Sequence, residues 1–272
     1  MEKVAAPGLL LGALAVLLSV SPVLAQLRRA GTSPTQRPAT AVSRDYQFER
    51  DERRANKLDD FARPTHLIEM SFRFAPSFSY NTAEGVGAYS QFQPNGIGVR
   101  MSVGPTLDYF FFKDRYAFSS GLWYTIKRSS FVIPGSFGQD VFRPGQAPGE
   151  SVYNLQYLQI PLTVKMYANE ISPSLRGYIQ CGGLLDIKLA EKALDQVTNP
   201  LYKYASSGGD YRRQYGFADV GVLLSAGVQY KLNAVNAVNA GLSYQRGLLN
   251  VFRDNGLESR NNTVAIELGF KF

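Results

Sequence analysis

The 272-residue chain has one cysteine, one histidine and one tryptophan. A single cysteine excludes an internal disulfide framework, and a single histidine leaves no cluster to ligate a metal. No cofactor is expected. Beyond the N-terminal region there is no apolar run near the ~20 residues that a membrane-crossing helix needs. Together with a mean hydropathy of -0.15, this excludes a bundle of membrane helices. It leaves membrane strands open, because alternate residues of such strands are polar. Acidic residues are the minority, 22 against 29 basic ones, for a net charge of +7. That excess is divided. Residues 26–64 hold nine basic and six acidic residues, and residues 65–272 hold nineteen and fifteen. No concentrated basic surface for nucleic acid emerges. Aromatic residues are abundant, with 16 Tyr and 17 Phe. Of these, only Tyr46, Phe48 and Phe61 precede residue 65.

The N-terminus reads as a secretory signal peptide, residues 1–25: Lys3, the apolar run Leu9–Val20, a break at Ser21 and Pro22, then Val23-Leu24-Ala25 with compact residues before the cut. Residues 26–64 mix arginines with carboxylates and carry few apolar side chains. Such a stretch cannot bury enough surface to offset ordering, so a largely disordered periplasmic linker is expected.

From Leu67 the period becomes 2. Ile68, Met70, Phe72, Phe74, Phe78 and Tyr80 alternate with Glu69, Ser71, Arg73, Ala75, Ser77 and Ser79. Seven further runs follow the same rule, centred near residues 104, 122, 162, 182, 225, 241 and 268. Their connections alternate between long (81–96, 128–152, 190–216, 250–261) and short (113–114, 169–174, 233–237). Short periplasmic turns and long external loops are the rule of outer-membrane barrels. The fold class is therefore all-β, an eight-stranded antiparallel up-and-down transmembrane barrel over 65–272, with both termini periplasmic. A secreted lipocalin-like barrel would share the period with its apolar face inward. Aromatics at the strand ends favour the membrane: Tyr109, Phe111, Tyr116, Phe118, Tyr230, Phe270 and Phe272 near the turns, Phe78, Tyr80, Tyr124 and Tyr244 near the long loops. Phe272, closing an alternating strand, is the expected assembly signal for barrel-assembly machinery. Cys181 falls on the lipid side.

Eight strands enclose an interior just wide enough for side chains. By alternation that interior receives Glu69, Arg73, Arg100, Asp108, Lys127, Lys165, Arg176, Asp186, Lys188, Asp219, Lys231, Glu267 and Lys271. Buried charges must pair to persist, so a salt-bridged plug is expected in place of an open pore.

With the strands placed, the chain resembles the PorT-like outer-membrane barrels of Bacteroidetes-type bacteria. The resemblance rests on Gly121-Leu122-Trp123-Tyr124-Thr125-Ile126-Lys127, Tyr157-Leu158-Gln159-Ile160-Pro161-Leu162, Gly182-Gly183, Gly221–Gly227, Leu242-Ser243-Tyr244-Gln245-Arg246-Gly247-Leu248 and Leu268-Gly269-Phe270-Lys271-Phe272. Ile126 stands where the family often has Gln. The resemblance implies a barrel that serves as an adhesin, a structural protein or a secretion accessory, and it names no active residues.

Three function classes follow. The favoured one is a non-enzymatic barrel that acts through its external loops or as a structural or secretion-accessory part of the envelope. Its candidate loop contacts are Phe131, Phe137, Phe142, Arg143, Tyr202, Tyr204, Tyr211, Arg212 and Arg213, because Tyr and Arg are common binding anchors. The expected partners are outer-membrane lipid and lipopolysaccharide, with secretion-system or surface proteins. The alternative is a small channel or transporter. A barrel-embedded enzyme is disfavoured, because His66 begins the first strand on the side opposite the long loops.

Overall fold

A computed structural model describes residues 67–112, 115–138, 149–172, 174–233 and 235–272. The signal segment, the linker, Phe142 and Arg143 lie outside the described residues. In chain order the elements are β1 (Ile68–Asn81), β2 (Glu84–Gly85), β3 (Gln93–Pro94), β4 (Gly98–Phe112), β5 (Tyr116–Gly121), β6 (Trp123–Ile133), β7 (Gly149–Ser172), β8 (Leu175–Ala193), α1 (Pro200–Ser206), β9 (Ala218–Lys231), β10 (Ala237–Gly247), β11 (Leu257–Glu258) and β12 (Asn261–Lys271).

β1 pairs with β4 on one side and β12 on the other, and every intervening pair is antiparallel, so the sheet closes on itself. β5 and β6 form one stave, which leaves eight staves in the wall. The break between them falls at Leu122, opposite Pro105. Proline has no N–H to offer the ladder, and across the break the Leu122 N–H donates to the Pro105 carbonyl at 3.1 Å. The walls approach so closely that a Cβ on Gly104 would lie 2.1 Å from the Leu122 carbonyl oxygen.

Burial decides which face is which. Along β1, Glu69, Ser71, Arg73, Ala75, Ser77 and Ser79 are buried, while Ile68, Met70, Phe72, Phe74 and Phe78 are exposed. The same inversion runs around the barrel: Leu107, Phe118, Leu162, Ile179, Leu224, Leu242 and Leu268 all face outward. A water-soluble barrel would hide these side chains; here they meet hydrocarbon.

The outward ends of β6, β7 and β8 run further than the alternation implied. Residues 128–133, 149–152 and 190–193, expected in long loops, are strand. Beyond the membrane both faces can be polar, as in Arg128-Ser129-Ser130, so the hydrophobic period vanishes while the ladder continues. Asn199 anchors the next loop: its Oδ1 accepts the Tyr202 N–H at 3.0 Å to start α1 and the Ser151 hydroxyl at 2.9 Å from β7.

Candidate functional site: a charged lumen beneath a loop cap

The interior is built as stacked ion pairs. At the periplasmic end Glu69 accepts from Lys271, and Arg176 approaches it at 3.9 Å while donating to Gln229 at 2.6 Å. Glu69 lies directly opposite Asp108 in the β1–β4 register. Facing carboxylates repel, and each has its own cation: Lys165 donates to Asp108 at 2.7 Å. Outward from these, the Arg73 guanidinium donates to Glu267 at 2.6 and 3.1 Å and to Ser102 at 3.0 Å. Ser225 donates to the other Glu267 oxygen at 2.9 Å. Higher still, Lys127 donates to Asp186 at 2.5 Å and Gln159 donates to its second oxygen at 2.7 Å. At the top Lys188 pairs with Glu191 and donates to the Tyr215 carbonyl at 2.6 Å.

Aromatic rings fill the space between the pairs. The Arg73 guanidinium lies 4.0 Å from the Trp123 ring and that of Arg176 lies 3.9 Å from the Tyr167 ring. Lys165 faces Tyr178 at 5.3 Å. Glycines make room for them: a Cβ on Gly227 would sit 2.6 Å from the Tyr178 hydroxyl, and one on Gly241 at 2.8 Å. A cavity of about 30 Å³ beside Arg73, Trp123, Lys165 and Glu267 remains, room for about one or two waters.

Of the thirteen charges expected inside, ten are buried: Glu69, Arg73, Asp108, Lys127, Lys165, Arg176, Asp186, Lys188, Asp219 and Glu267. Arg100, Lys231 and Lys271 are half-buried at the ends of the lumen, where Arg100 donates to Asn154 at 2.6 Å. Asp219 faces Asp186 across the β8–β9 ladder and, among the described residues, its carboxylate has no side-chain hydrogen-bond partner. Trp123, Tyr167, Tyr178, Gln159 and Gln229 also belong to the interior but carry no formal charge; the period-2 pattern alone places each on the inward face.

The external mouth is sealed by a second, apolar layer. Tyr89, Phe92, Phe131, Phe137, Tyr153, Tyr215 and Phe252 form one buried cluster. Phe92 and Phe137 pack edge-to-face at 4.9 Å, and Tyr215 meets Phe252 at 5.5 Å. Phe131 and Phe137, read from the sequence as surface contacts, are therefore packed inward. Phe131 lies in β6 and continues the inward face of Lys127 and Ser129, whereas Phe137 lies in a loop, where no period tells its direction.

The loops are tied together by backbone. Tyr215 bridges Phe252, and the Arg253 N–H donates to the Gln214 carbonyl at 2.8 Å. β2 pairs with β11. Glu191 accepts from the Tyr211 hydroxyl at 2.6 Å and the Gln214 N–H at 2.9 Å, fixing the loop to the barrel rim. Above this layer lies a cleft of about 510 Å³ between Tyr204, Tyr211, Arg212, Arg213, Arg253 and Asp254. Tyr202 stacks on Tyr211 at 5.1 Å behind it. Arg253 and Asp254 come from a different loop and were not among the sequence-level candidates; nothing local to them marks a site.

Among the described residues no group of three or more His, Cys, Asp or Glu side chains is placed to hold a metal. An apolar wall around a charged interior, closed by ladder hydrogen bonds, defines an outer-membrane β-barrel protein. The chain belongs to the outer membrane protein beta-barrel domain family, which it matches over residues 47–253; its place is the bacterial outer membrane. Among solved structures it is similar to the outer membrane protein OprG of Pseudomonas aeruginosa, at 13% identity and a TM-score of 0.44, covering 76% of this chain and 97% of that one. Neisserial surface protein A is similar at 15% identity and a TM-score of 0.37, covering 74% and 97%. Ail, the attachment invasion locus protein of Yersinia pestis, in complex with the heparin analogue sucrose octasulfate, is similar at 11% identity and a TM-score of 0.35, covering 75% and 99%. No curated protein matches the chain.

Proposed function

We propose that this protein is a non-conducting, non-enzymatic barrel of the PorT-like kind whose working surface is its packed external loops. The observation that carries this reading is the double closure. Ion pairs and rings occupy the lumen with a cavity of only about 30 Å³ beside Arg73, and the Tyr89–Phe252 cluster covers its outer mouth. Among the described residues, the filled lumen and the covered mouth speak against a path for a hydrated solute. The exposed chemistry gathers instead on the loops, where Tyr202, Tyr204, Tyr211, Arg212 and Arg213 are partly or fully exposed. Loops cross-linked to one another and to the rim are preorganised, which lowers the ordering cost of binding. Lipopolysaccharide surrounds such loops and surface or secretion partners would meet them. The same reading gives the N-terminal segment a cleaved signal and a periplasmic linker, and Phe272 the role of assembly signal.

Planar bilayers test the closure. The refolded protein is expected to give no steady open-channel current over several minutes at moderate voltage. Reproducible, ohmic, large current steps in proportion to inserted protein would overturn the reading and favour the channel.

A further inference from the structure

We propose that the external cleft is a binding site for an anionic glycan, a sugar chain bearing sulfate, phosphate or carboxylate groups, held by Arg212, Arg213 and Arg253 and stacked against Tyr204 and Tyr211. The inference rests on the reading of the loops as the working surface, and it adds the chemistry of the ligand.

Charge comes first. The three arginines are exposed, and among the described residues no hydrogen bond or ion pair reaches their guanidinium groups. The one carboxylate in the cleft is already engaged: Asp254 accepts from the Tyr89 hydroxyl at 3.1 Å and from the Gly256 N–H at 2.8 Å. Burial, with the Asp254 carboxylate beside it, pushes the Tyr89 phenol well above its ordinary range. Burial and the hydrogen bond to Glu191 do the same for Tyr211. Neither tyrosine adds negative charge at physiological pH, so the cleft stays cationic. Guanidinium presents a planar fork that matches acidic oxygens in pairs.

Shape comes second. A cleft of about 510 Å³ lies within the usual size of ligand sites, ~300–1,000 Å³. Its arginines are interleaved with tyrosine rings, whose faces suit the flat apolar faces of sugar rings while the arginines take the acid groups. Only loop residues line it, and no residue of the lipid-facing wall does, so the ligand approaches from solution and not from the bilayer. Backbone holds the arginines in place: the Arg212 N–H donates to the Ala205 carbonyl at 3.0 Å, and the Arg253 N–H to Gln214.

The full-length protein in lipid nanodiscs can be tested against immobilised dextran sulfate, uncharged dextran and polyglutamate. Dextran sulfate is expected to bind, weakening as salt rises, while uncharged dextran does not. Arg212→Ala with Arg213→Ala is expected to weaken binding about ten-fold or more. Tyr204→Leu, which keeps the charge and the packing on Phe137, is expected to weaken it several-fold. Heat-modifiable migration on a gel checks that each variant still forms a barrel. Unchanged binding by the double arginine variant overturns the proposal. So does polyglutamate binding as tightly as dextran sulfate, or a Tyr204→Leu variant at full affinity, since either leaves mere charge attraction. Absence of glycan binding by a protein that also fails to conduct refutes the glycan alone; steady conduction refutes the underlying reading.

Discussion

Replacement of Glu267 by Ala is expected to lower the unfolding free energy by about 3–5 kcal/mol, the usual cost of stripping one partner from a buried ion pair. Glu267 accepts both Arg73 bonds and the Ser225 hydroxyl, and both members of the pair are buried. Without it the Arg73 guanidinium keeps only Ser102 and the face of Trp123. The cavity beside it, about 30 Å³, has room for about one or two waters, too few to solvate the cation fully. Urea titration of the refolded protein in micelles, followed by tryptophan fluorescence, reads the change at the site, because Trp123 is the only tryptophan. The double variant Arg73→Leu, Glu267→Leu is expected to be less destabilised than Glu267→Ala alone, since no unpaired charge remains. An unchanged midpoint for Glu267→Ala would show that water hydrates Arg73 and that the interior is open.

Leu242→Arg is expected to cost about 2–4 kcal/mol, the penalty for a cation at mid-membrane on the outer face of a barrel. Leu242 sits mid-strand in β10, between Ala226 of β9 and Ile266 of β12, with its side chain outward. The same change on a water-facing surface stays within about 0.5 kcal/mol. The size of the effect therefore reports the solvent around the wall. Measured by the same titration in lipid vesicles, a change below about 0.5 kcal/mol would place Leu242 in water.

Much of the barrel was legible because one physical rule, a period of 2 with the faces in different media, acts on every residue of a spanning strand. That rule located the eight staves and placed Arg73, Asp108, Lys127, Lys165, Asp186 and Glu267 on one face. It did not pair them, since pairing depends on the register between staves far apart in sequence: Arg73 and Glu267 are 194 residues apart. Above the membrane the rule lapses because the outer face leaves the hydrocarbon and no longer needs to be apolar, so strand residues 128–133 looked like loop. The cap was least legible. Phe137 and Tyr204 are aromatics in separate loops, far apart in sequence, yet their rings pack at 4.8 Å. The cleft combines Arg212 and Arg213 with Arg253 through a loop-to-loop bridge that no local pattern announces. The match to the outer membrane barrel family fixes the architecture and the address.

The apolar face of the wall meets lipid while charge fills the interior, and the chain's only cysteine reports on this division. Cys181 is exposed on β8, flanked in the ladder by Val164 and Leu224. The protein can be spin-labelled at Cys181 while unfolded in urea and then refolded into lipid vesicles. Collision rates are then measured with oxygen, which partitions into lipid, and with a polar nickel chelate. Frequent collisions with oxygen and few with the chelate are expected. A label more accessible to the chelate than to oxygen, or shielded from both, would contradict it.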